Sequence, residues 1–229
     1  MLMQTVAQAN SSRQPVAARR APPASTQALF GSIELIGARM AFFRNAEIYG
    51  DDEPANYLYK VTSGAVRICK LLDDGRRQIT AFHLPGEIFG LEVGADHRFS
   101  AEAVIDSSVL VIKRSAAVAL AARDGDVAHQ IWAYTARDLQ RVQEHMLLLG
   151  CMSAKERVAA FLLHMATRIS GGNEVELPMP RQDIADYLGL TIETVSRTMT
   201  QLKSDASIGL PTSRHIVLRN RAALSRLDA

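Results

Sequence analysis

Three side chains in the C-terminal part have types and a spacing suited to hydrogen bonding with the edges of nucleic-acid bases. Glu193, Ser196 and Arg197 lie at positions i, i+3 and i+4, so a helix would place them on one face. An arginine suits guanine O6 and N7, a glutamate accepts from cytosine N4, and a serine tolerates several base edges. The pattern therefore predicts a helix that reads bases in a DNA groove.

The segment around these side chains, Arg181–Lys203, predicts two short helices joined by a tight turn at Gly189. Ala185 is small where the helices would cross, Val195 would point back at the first helix, and Thr191 is a good N-cap for the second. An ordinary helical hairpin remains the alternative to a DNA-binding helix–turn–helix. The rest of the predicted apolar seam is Ile184, Leu188 and Leu190.

Length and charge limit the class of protein. With 229 residues and a net charge of +2, the chain is one large or two modest domains, and DNA binding would need a local basic patch. Basic residues do gather late in the chain. The sequence contains no Gly-rich phosphate loop, nucleophile elbow or metal-ligand cluster, so it predicts no enzyme. The late basic residues are Arg214, Arg219, Arg221 and Arg226.

The two cysteines, Cys69 and Cys151, each lie in an apolar run. They are predicted to be buried, inert thiols in a reducing compartment, although a redox switch stays open as an alternative. Their spacing fits no zinc or iron–sulfur motif, so we expect no metal and no cofactor. No apolar run has the length of a bilayer span, and we expect no membrane partner.

The N-terminal part, residues 1–29, is rich in Ala, Gln, Ser and Pro and carries arginines without an acid. This composition favours a flexible tail, while an organellar transit peptide stays open. Residues 30–122 then alternate short apolar runs with turn signals such as Asp73-Asp74-Gly75, which predicts a jelly-roll-like β-roll. The predicted strands are Tyr57–Val61, Ala65–Leu71, Gln78–Phe82, Ser100–Val104 and Val109–Ile112.

A long helix is predicted within residues 123–152, because apolar residues recur there at alternating spacings of four and three. Such a stripe either packs on the β-roll or pairs with a second copy of the chain. We favour pairing, since a lone helix would leave the stripe in water. The predicted dimer contacts are Trp132, Thr135, Leu139, Val142, Met146 and Leu149.

Residues 153–229 predict a winged helix–turn–helix domain, which makes the fold class α+β. Ser153 and Glu156 form a capping box that starts a helix. A short strand, Glu174–Leu177, precedes the helix–turn–helix. Ile208–Leu210 and His215–Leu218 then look like a two-stranded wing, and a last helix holds Ala222, Leu224 and Leu227.

This order of elements resembles the Crp-Fnr family of bacterial transcription factors, most of all its FixK branch, over about residues 30–229. The motifs that carry the resemblance in the β-roll are Tyr49-Gly50-Asp51, Gly64, Asp74-Gly75-Arg76, Pro85-Gly86 and Phe89-Gly90. Those in the C-terminal part are Ala154–Phe161 and Asp183–Arg197.

The resemblance implies base contacts by Glu193, Ser196 and Arg197 and a homodimer on a palindrome like TTGA…TCAA. It also implies RNA polymerase as a partner and a cytoplasmic, nucleoid-associated location in a bacterium. The turn at Asp73-Asp74 and the loop at Gly171-Gly172-Asn173 resemble polymerase-contacting surfaces, with Arg76 and Arg77 nearby. A solvated turn is the alternative. The implied phosphate contacts are Arg181, Gln182, Thr191 and Thr194.

The sequence departs from the family where a cyclic nucleotide would bind. Leu91 stands in place of the family's ribose-binding glutamate, and Phe99 in place of its phosphate-binding arginine, although Ser100 remains. Glu92 and Arg98 are each displaced by one residue, which turns a strand side chain to the other face. We therefore expect no cyclic-AMP binding.

The other sensors of the family are not expected either. Residues 1–29 lack the cysteines of an iron–sulfur cluster, and His83 or His97 offers only a lone candidate haem ligand. The sequence thus predicts an activator of transcription, of microoxic or nitrogen-fixation genes by resemblance, that needs no cyclic nucleotide. The alternative is a regulator gated by an unrecognised small ligand in the β-roll.

Overall fold

The computed structural model of the chain describes residues 37–169 and 171–227. The tail predicted at residues 1–29 lies outside these residues. Within them the predicted α+β class is confirmed: antiparallel sheets precede a long helix, and a small helical domain with a short sheet follows.

The N-terminal part is built from two four-stranded antiparallel sheets, with strand orders β1-β8-β3-β6 and β2-β7-β4-β5. All five predicted strands form, with small shifts at their ends. Three further strands, at residues 38–42, 47–49 and 88–89, were not predicted. The eight strands are β1 (Ala38–Phe42), β2 (Glu47–Tyr49), β3 (Tyr57–Ser63), β4 (Val66–Leu71), β5 (Arg77–His83), β6 (Ile88–Phe89), β7 (Ser100–Ala103) and β8 (Ser107–Lys113).

Two glycines set the turns around β4. Gly75 has a φ of 82° in the predicted hairpin between β4 and β5. Gly64, just before β4, has a φ of 88°, and a Cβ there would lie 2.2 Å from Ser107 Oγ. Only glycine fits that close approach.

Two helices follow the β-roll: α1 (Arg114–Ala121) and the long α2 (Gly125–Cys151). The side chain of Asp124 caps α2 by accepting from the backbone N–H groups of Asp126 and Val127. At 27 residues, α2 is about 40 Å long. It carries two parallel stripes, the predicted apolar one and a second, inward one that sequence reasoning missed. The inward stripe is Val127, Ile131, Tyr134, Asp138, Arg141, His145 and Leu148.

The C-terminal domain begins at Ser153, whose predicted capping box is confirmed. Glu156 Oε2 accepts from Ser153 N at 2.7 Å, and Ser153 Oγ accepts from Glu156 N at 3.4 Å. The two predicted wing strands form and pair with each other. The sheet has a third strand, in the order β10-β11-β9, because the short strand before the helix–turn–helix joins it, which was not predicted. Leu227 lies beyond the last helix. The elements are α3 (Ala154–Ile169), β9 (Glu174–Glu176), α4 (Arg181–Leu188), α5 (Ile192–Ser204), β10 (Ile208–Gly209), β11 (His215–Leu218) and α6 (Arg221–Ser225).

One apolar core joins the β-roll to the C-terminal domain. Cys69, Ile79 and Phe82 of the sheet pack in the same buried cluster as Phe161 of α3 and Tyr187 of α4. The two parts therefore share buried surface rather than meeting only at a hinge.

The cysteine prediction is half confirmed. Cys69 is buried in this shared core, and burial raises the pKa of its thiol to about 11. Cys151 is exposed, contrary to the prediction, because it is the last residue of α2 and faces away from the core. The apolar run around it reflects Leu148 and Leu149, which do pack inward.

Candidate nucleic-acid interface

The two helices α4 and α5 form the predicted helix–turn–helix. Gly189 ends α4 in the left-handed conformation with a φ of 61°, and the backbone N–H of Leu190 donates to Ala185 O at 3.0 Å. Ala185 and Val195 have no exposed surface, as a close helix crossing requires. The hydroxyl of Thr191 accepts from Thr194 N at 3.2 Å and caps α5 as predicted.

The three predicted base-reading residues lie on one side of α5. Glu193 and Arg197 are exposed, and Ser196 is half-buried between them. Hydrogen bonds from its own backbone N–H and from the Thr191 hydroxyl, with the charge of Arg197, lower the pKa of Glu193. Its carboxylate is thus an acceptor, while Arg197 offers donors, so the face carries both polarities that base edges present.

The four predicted phosphate contacts lie at the N-termini of α4 and α5, where backbone N–H groups also favour anions. Thr191 and Thr194 are hydroxyl neighbours at 3.1 Å. The side chain of Gln182 donates to Asp186 at 2.7 Å, and Arg181 Nη1 donates to Ser196 Oγ at 3.1 Å. Arg181 is therefore bonded to Ser196, one of the predicted base-reading residues, a contact that the sequence did not indicate.

The late basic residues divide into free and engaged groups. Arg221 Nη1 donates to the carbonyl of Gly172 at 3.1 Å, and Arg214 Nη1 reaches the carbonyl of Pro178 at 3.4 Å. Arg219 is exposed beside the wing strand β11.

Beside the β4–β5 turn, Arg76 is exposed, but Arg77 is held by Asp183 and Asp186 of α4. Arg77 is therefore not available to contact RNA polymerase from the surface predicted at this turn.

The predicted dimer stripe on α2 lies mostly in solvent. Trp132 is 71% exposed, and Thr135, Leu139, Val142 and Met146 are exposed as well. Leu149 differs, because it is half-buried against the C-terminal core and lies near Gly189. The exposed residues form the broad apolar surface expected of a helix that pairs.

The β-roll interior at the family's nucleotide position is packed with rings. Tyr49 stacks on His97 with 3.6 Å between centroids, and Tyr59 stacks on Phe89 at 5.1 Å. Phe99 is half-buried against this cluster. Aromatic packing therefore occupies the space around the Phe99 position.

Polar groups near that position are engaged within the chain. Ser100 Oγ accepts from the backbone N–H of Asp51 at 3.0 Å. Glu92 accepts from the backbone N–H of Arg98 at 3.0 Å and contacts His97 Nδ1 at 3.2 Å. Both polar side chains are thus held by hydrogen bonds within the chain.

The candidate haem ligands are buried among other groups. His97 is 1% exposed in the ring stack, and His83 is 5% exposed. Burial, with Arg168 and Arg141 nearby, lowers the pKa of His83 to about 4, although the charge of Glu87 acts to raise it.

Among residues 37–169 and 171–227, no cluster of three His, Cys, Asp or Glu side chains could hold a metal ion. The same residues include no helix both long and apolar enough to span a bilayer.

Both halves of the chain match known protein domains. Residues 39–124 match the cyclic nucleotide-binding domain model, and residues 156–227 match the Crp-like helix-turn-helix domain model. The nitrogen fixation regulation protein FixK of Azorhizobium caulinodans is 53% identical over 86% of this chain and 82% of its own. FixK of Rhizobium meliloti is 41% identical over 92% of this chain and 98% of its own.

A solved structure extends the likeness to the whole arrangement. FixK2 from Bradyrhizobium japonicum has a TM-score of 0.82 and 53% identity, covering 85% of this chain and 98% of that one. These relatives are regulators and not enzymes, as the sequence predicted for this chain. The chain belongs to the Crp-Fnr family of DNA-binding transcription regulators, in its FixK-type branch.

Proposed function

We propose that the chain is a homodimeric transcription activator that binds a TTGA…TCAA-like palindrome without a cyclic nucleotide or an iron–sulfur cluster. The observation that carries the proposal is the exposed face of α5, where Glu193 and Arg197 flank Ser196. Each protomer reads one half-site through this face, while Arg181, Gln182, Thr191 and Thr194 contact phosphates beside it.

Dimerisation takes place along α2. The exposed residues Trp132, Leu139, Val142 and Met146 recur at heptad spacing on the side that the chain's own domains leave open. Pairing two such helices buries this apolar surface and places two recognition helices about 34 Å apart, one turn of DNA.

Independence from a cyclic nucleotide follows from the β-roll. Leu91 and Phe99 replace the polar groups that a ribose and a phosphate need, and the Glu92 carboxylate accepts a backbone N–H of the neighbouring loop. By likeness to the family, the regulator acts on DNA in the cytoplasm, with RNA polymerase as its partner. Its targets are microoxic or nitrogen-fixation genes, of which the names of the FixK relatives suggest the second.

A second candidate, gating by another small effector, has one observation in its favour. A cavity beside Leu91 is lined from the β-roll by Thr80 and His83, from α2 by Arg141 and from α3 by His164. Because three parts of the chain meet there, a ligand in this cavity could bias their arrangement.

Binding-site selection from a random DNA library, with purified protein and no additive, separates the candidates. The proposed function predicts recovery of one two-fold symmetric site of the TTGA…TCAA type. Recovery of such a site only after a small-molecule cell extract is added favours the effector-gated regulator. Recovery of no symmetric site from either arm contradicts both.

A further inference from the structure

The first helix of the helix–turn–helix, α4, is tied to the β-roll by a group of charges. Asp183 is 2% exposed, and its two carboxylate oxygens accept from two different strands. Arg67 Nη1 of β4 donates to Oδ2 at 2.8 Å, and Arg77 Nη2 of β5 donates to Oδ1 at 2.6 Å. We name the group of Arg67, Arg77, Glu102, Asp183 and Asp186 the interdomain clamp.

The remaining members complete the hydrogen bonding of the two guanidinium groups. Glu102 of β7 accepts from Arg67 Nε at 2.8 Å, and Asp186 accepts from Arg77 Nε at 2.8 Å. Burial by itself lowers the pKa of Arg77, but the carboxylates of Asp186 and Asp183 raise it above its ordinary value. Each of the five side chains thus has a partner of opposite charge, which a buried ion group requires.

The other end of α4 is held by the long helix α2. The ring of Tyr187 stacks on His145 with 4.0 Å between centroids and 3° between planes. His145 Nε2 donates to the carbonyl of Tyr187 at 2.8 Å. One end of α4 is therefore fixed to the β-roll and the other to the helix that carries the dimer stripe.

We propose that Arg67 and Arg77 of the β-roll are positioning residues for DNA recognition. Through the interdomain clamp they fix α4, and α5 beyond the turn at Gly189, relative to α2, and so set the separation of the two recognition helices. This inference rests on the proposed function as a dimeric reader of a palindrome. Buried ion groups are better attested as devices for one specific arrangement than as sources of stability, which suits this role.

The readout that separates positioning from general stability is the length of the spacer between half-sites. One base pair moves a half-site by roughly 3.4 Å and turns it by about 35° around the DNA axis. A rigid pair of recognition helices binds such altered spacers poorly. A pair whose orientation is loosened tolerates them, while each helix still reads its own half-site.

The test uses full-length dimeric protein and the variants Arg77→Met and Asp183→Asn. Arg77→Met is the milder variant, since Asp183 keeps its bond to Arg67 and the Arg77 side chain is 26% exposed. Arg76→Met is the matched control, because the neighbouring Arg76 is exposed and pairs with Asp74 in its own turn. Fluorescence anisotropy measures affinity for the selected palindrome, for spacers one base pair longer or shorter, and for a palindrome with mutated half-sites.

We expect wild type and Arg76→Met to lose about tenfold or more in affinity with each altered spacer. Arg77→Met and Asp183→Asn should lose less than about threefold, with discrimination against mutated half-sites retained. The clamp variants should also be cleaved faster by protease between α2 and α3, at Met152-Ser153, although circular dichroism shows them folded.

Two results would overturn the positioning role. One is a spacer profile of folded Arg77→Met equal to that of wild type, together with unchanged cleavage. The other is an equal loss of half-site and spacer discrimination, which would indicate general damage. Failure of wild type to prefer any palindrome would instead contradict the proposed function, and the protease comparison then still tests the clamp by itself.

Discussion

The proposed recognition face of α5 and the interior of the β-roll differ in character, although both lie in domains that match models of one family. On α5, Glu193 and Arg197 project into solvent with both hydrogen-bonding polarities available. In the β-roll, rings such as Tyr49 and His97 stack on one another, and Ser100 accepts from the chain's own backbone. The face of α5 is exposed, whereas rings fill the β-roll around Phe99 and leave a cavity only beside Leu91. This difference favours a protein whose DNA binding does not await a cyclic nucleotide.

The largest expected effect on DNA affinity comes from the exposed stripe of α2, because the two proposed recognition helices can bind one palindrome together only in a dimer. Leu139→Glu places a charge in the proposed dimer interface, so we expect a monomer in analytical ultracentrifugation. Affinity for the palindrome should fall by about 100-fold or more, because two linked half-site contacts become one.

Gln140→Glu is the control, since Gln140 is exposed beside the stripe and bonds with Glu144. It should remain dimeric with nearly unchanged affinity. A Leu139→Glu protein that stays dimeric and keeps wild-type affinity would show that the dimer uses another surface.

Two histidines beside the Leu91 cavity, His83 of the β-roll and His164 of α3, should make the stability depend on pH. Burial lowers the pKa values of His83 and His164 to about 4, below the ordinary value of 6.5. Between these pH values the unfolded chain binds more protons than the folded one, so stability falls as the pH falls through this window. Each histidine contributes up to roughly 3 kcal/mol across the full window.

Urea unfolding at several pH values between 7 and 4 measures this effect. His83→Gln should reduce the slope of the free energy of unfolding with pH. His129→Gln, a change at an exposed histidine, should leave the slope unchanged. Equal slopes for His83→Gln and wild type would mean that His83 is solvated in the folded protein and not buried.

On α5, Arg197→Ala should reduce the preference for the cognate sequence more than it reduces the affinity for DNA in general. Loss of a bidentate base contact costs about 1–3 kcal/mol of discrimination, or roughly 5- to 150-fold. Affinity for scrambled DNA should change little, since phosphate contacts dominate it. Gel-shift series on cognate and scrambled DNA make the comparison, with the exposed Arg123→Ala as a charge-matched control. Equal losses on both DNAs would remove Arg197 from the base-reading set.

The smallest expected effect on DNA binding belongs to Arg76, on the outside of the β-roll. Arg76→Asp should leave affinity for the palindrome within about twofold of wild type, because the residue is exposed and its ion pair is with Asp74 of its own turn. Transcription in a purified system with RNA polymerase should nevertheless fall if this turn contacts the polymerase. Unchanged transcription would leave the turn as a solvated hairpin that sets strand register.

Much of the fold could be predicted because its signals are local. The Asp73-Asp74-Gly75 hairpin, the capping box at Ser153 and the turn at Gly189 each depend on a few neighbouring residues. The outer stripe of α2 was visible as an apolar period. The common face of Glu193, Ser196 and Arg197 on α5 followed from helical spacing, while its role in reading bases stays a prediction.

The missed features join residues far apart in the chain. Arg67 and Asp183 are separated by 116 positions. The residue periods that indicate strands and helices are local and cannot predict such a pair. The inward stripe of α2 was hidden because Asp138, Arg141 and His145 interrupt its apolar period with polar side chains. Its polar residues have partners on other elements: Arg141 contacts Glu87, and His145 contacts Tyr187.

The most direct test of the account is a titration of the selected palindrome with additive-free protein, in the presence and absence of saturating cyclic AMP. We predict tight binding in both cases, with dissociation constants that agree within about twofold, because a ligand without differential affinity for the DNA-binding state shifts nothing. Tight binding only in the presence of the nucleotide would contradict the account, since it would show that the β-roll is an open sensor.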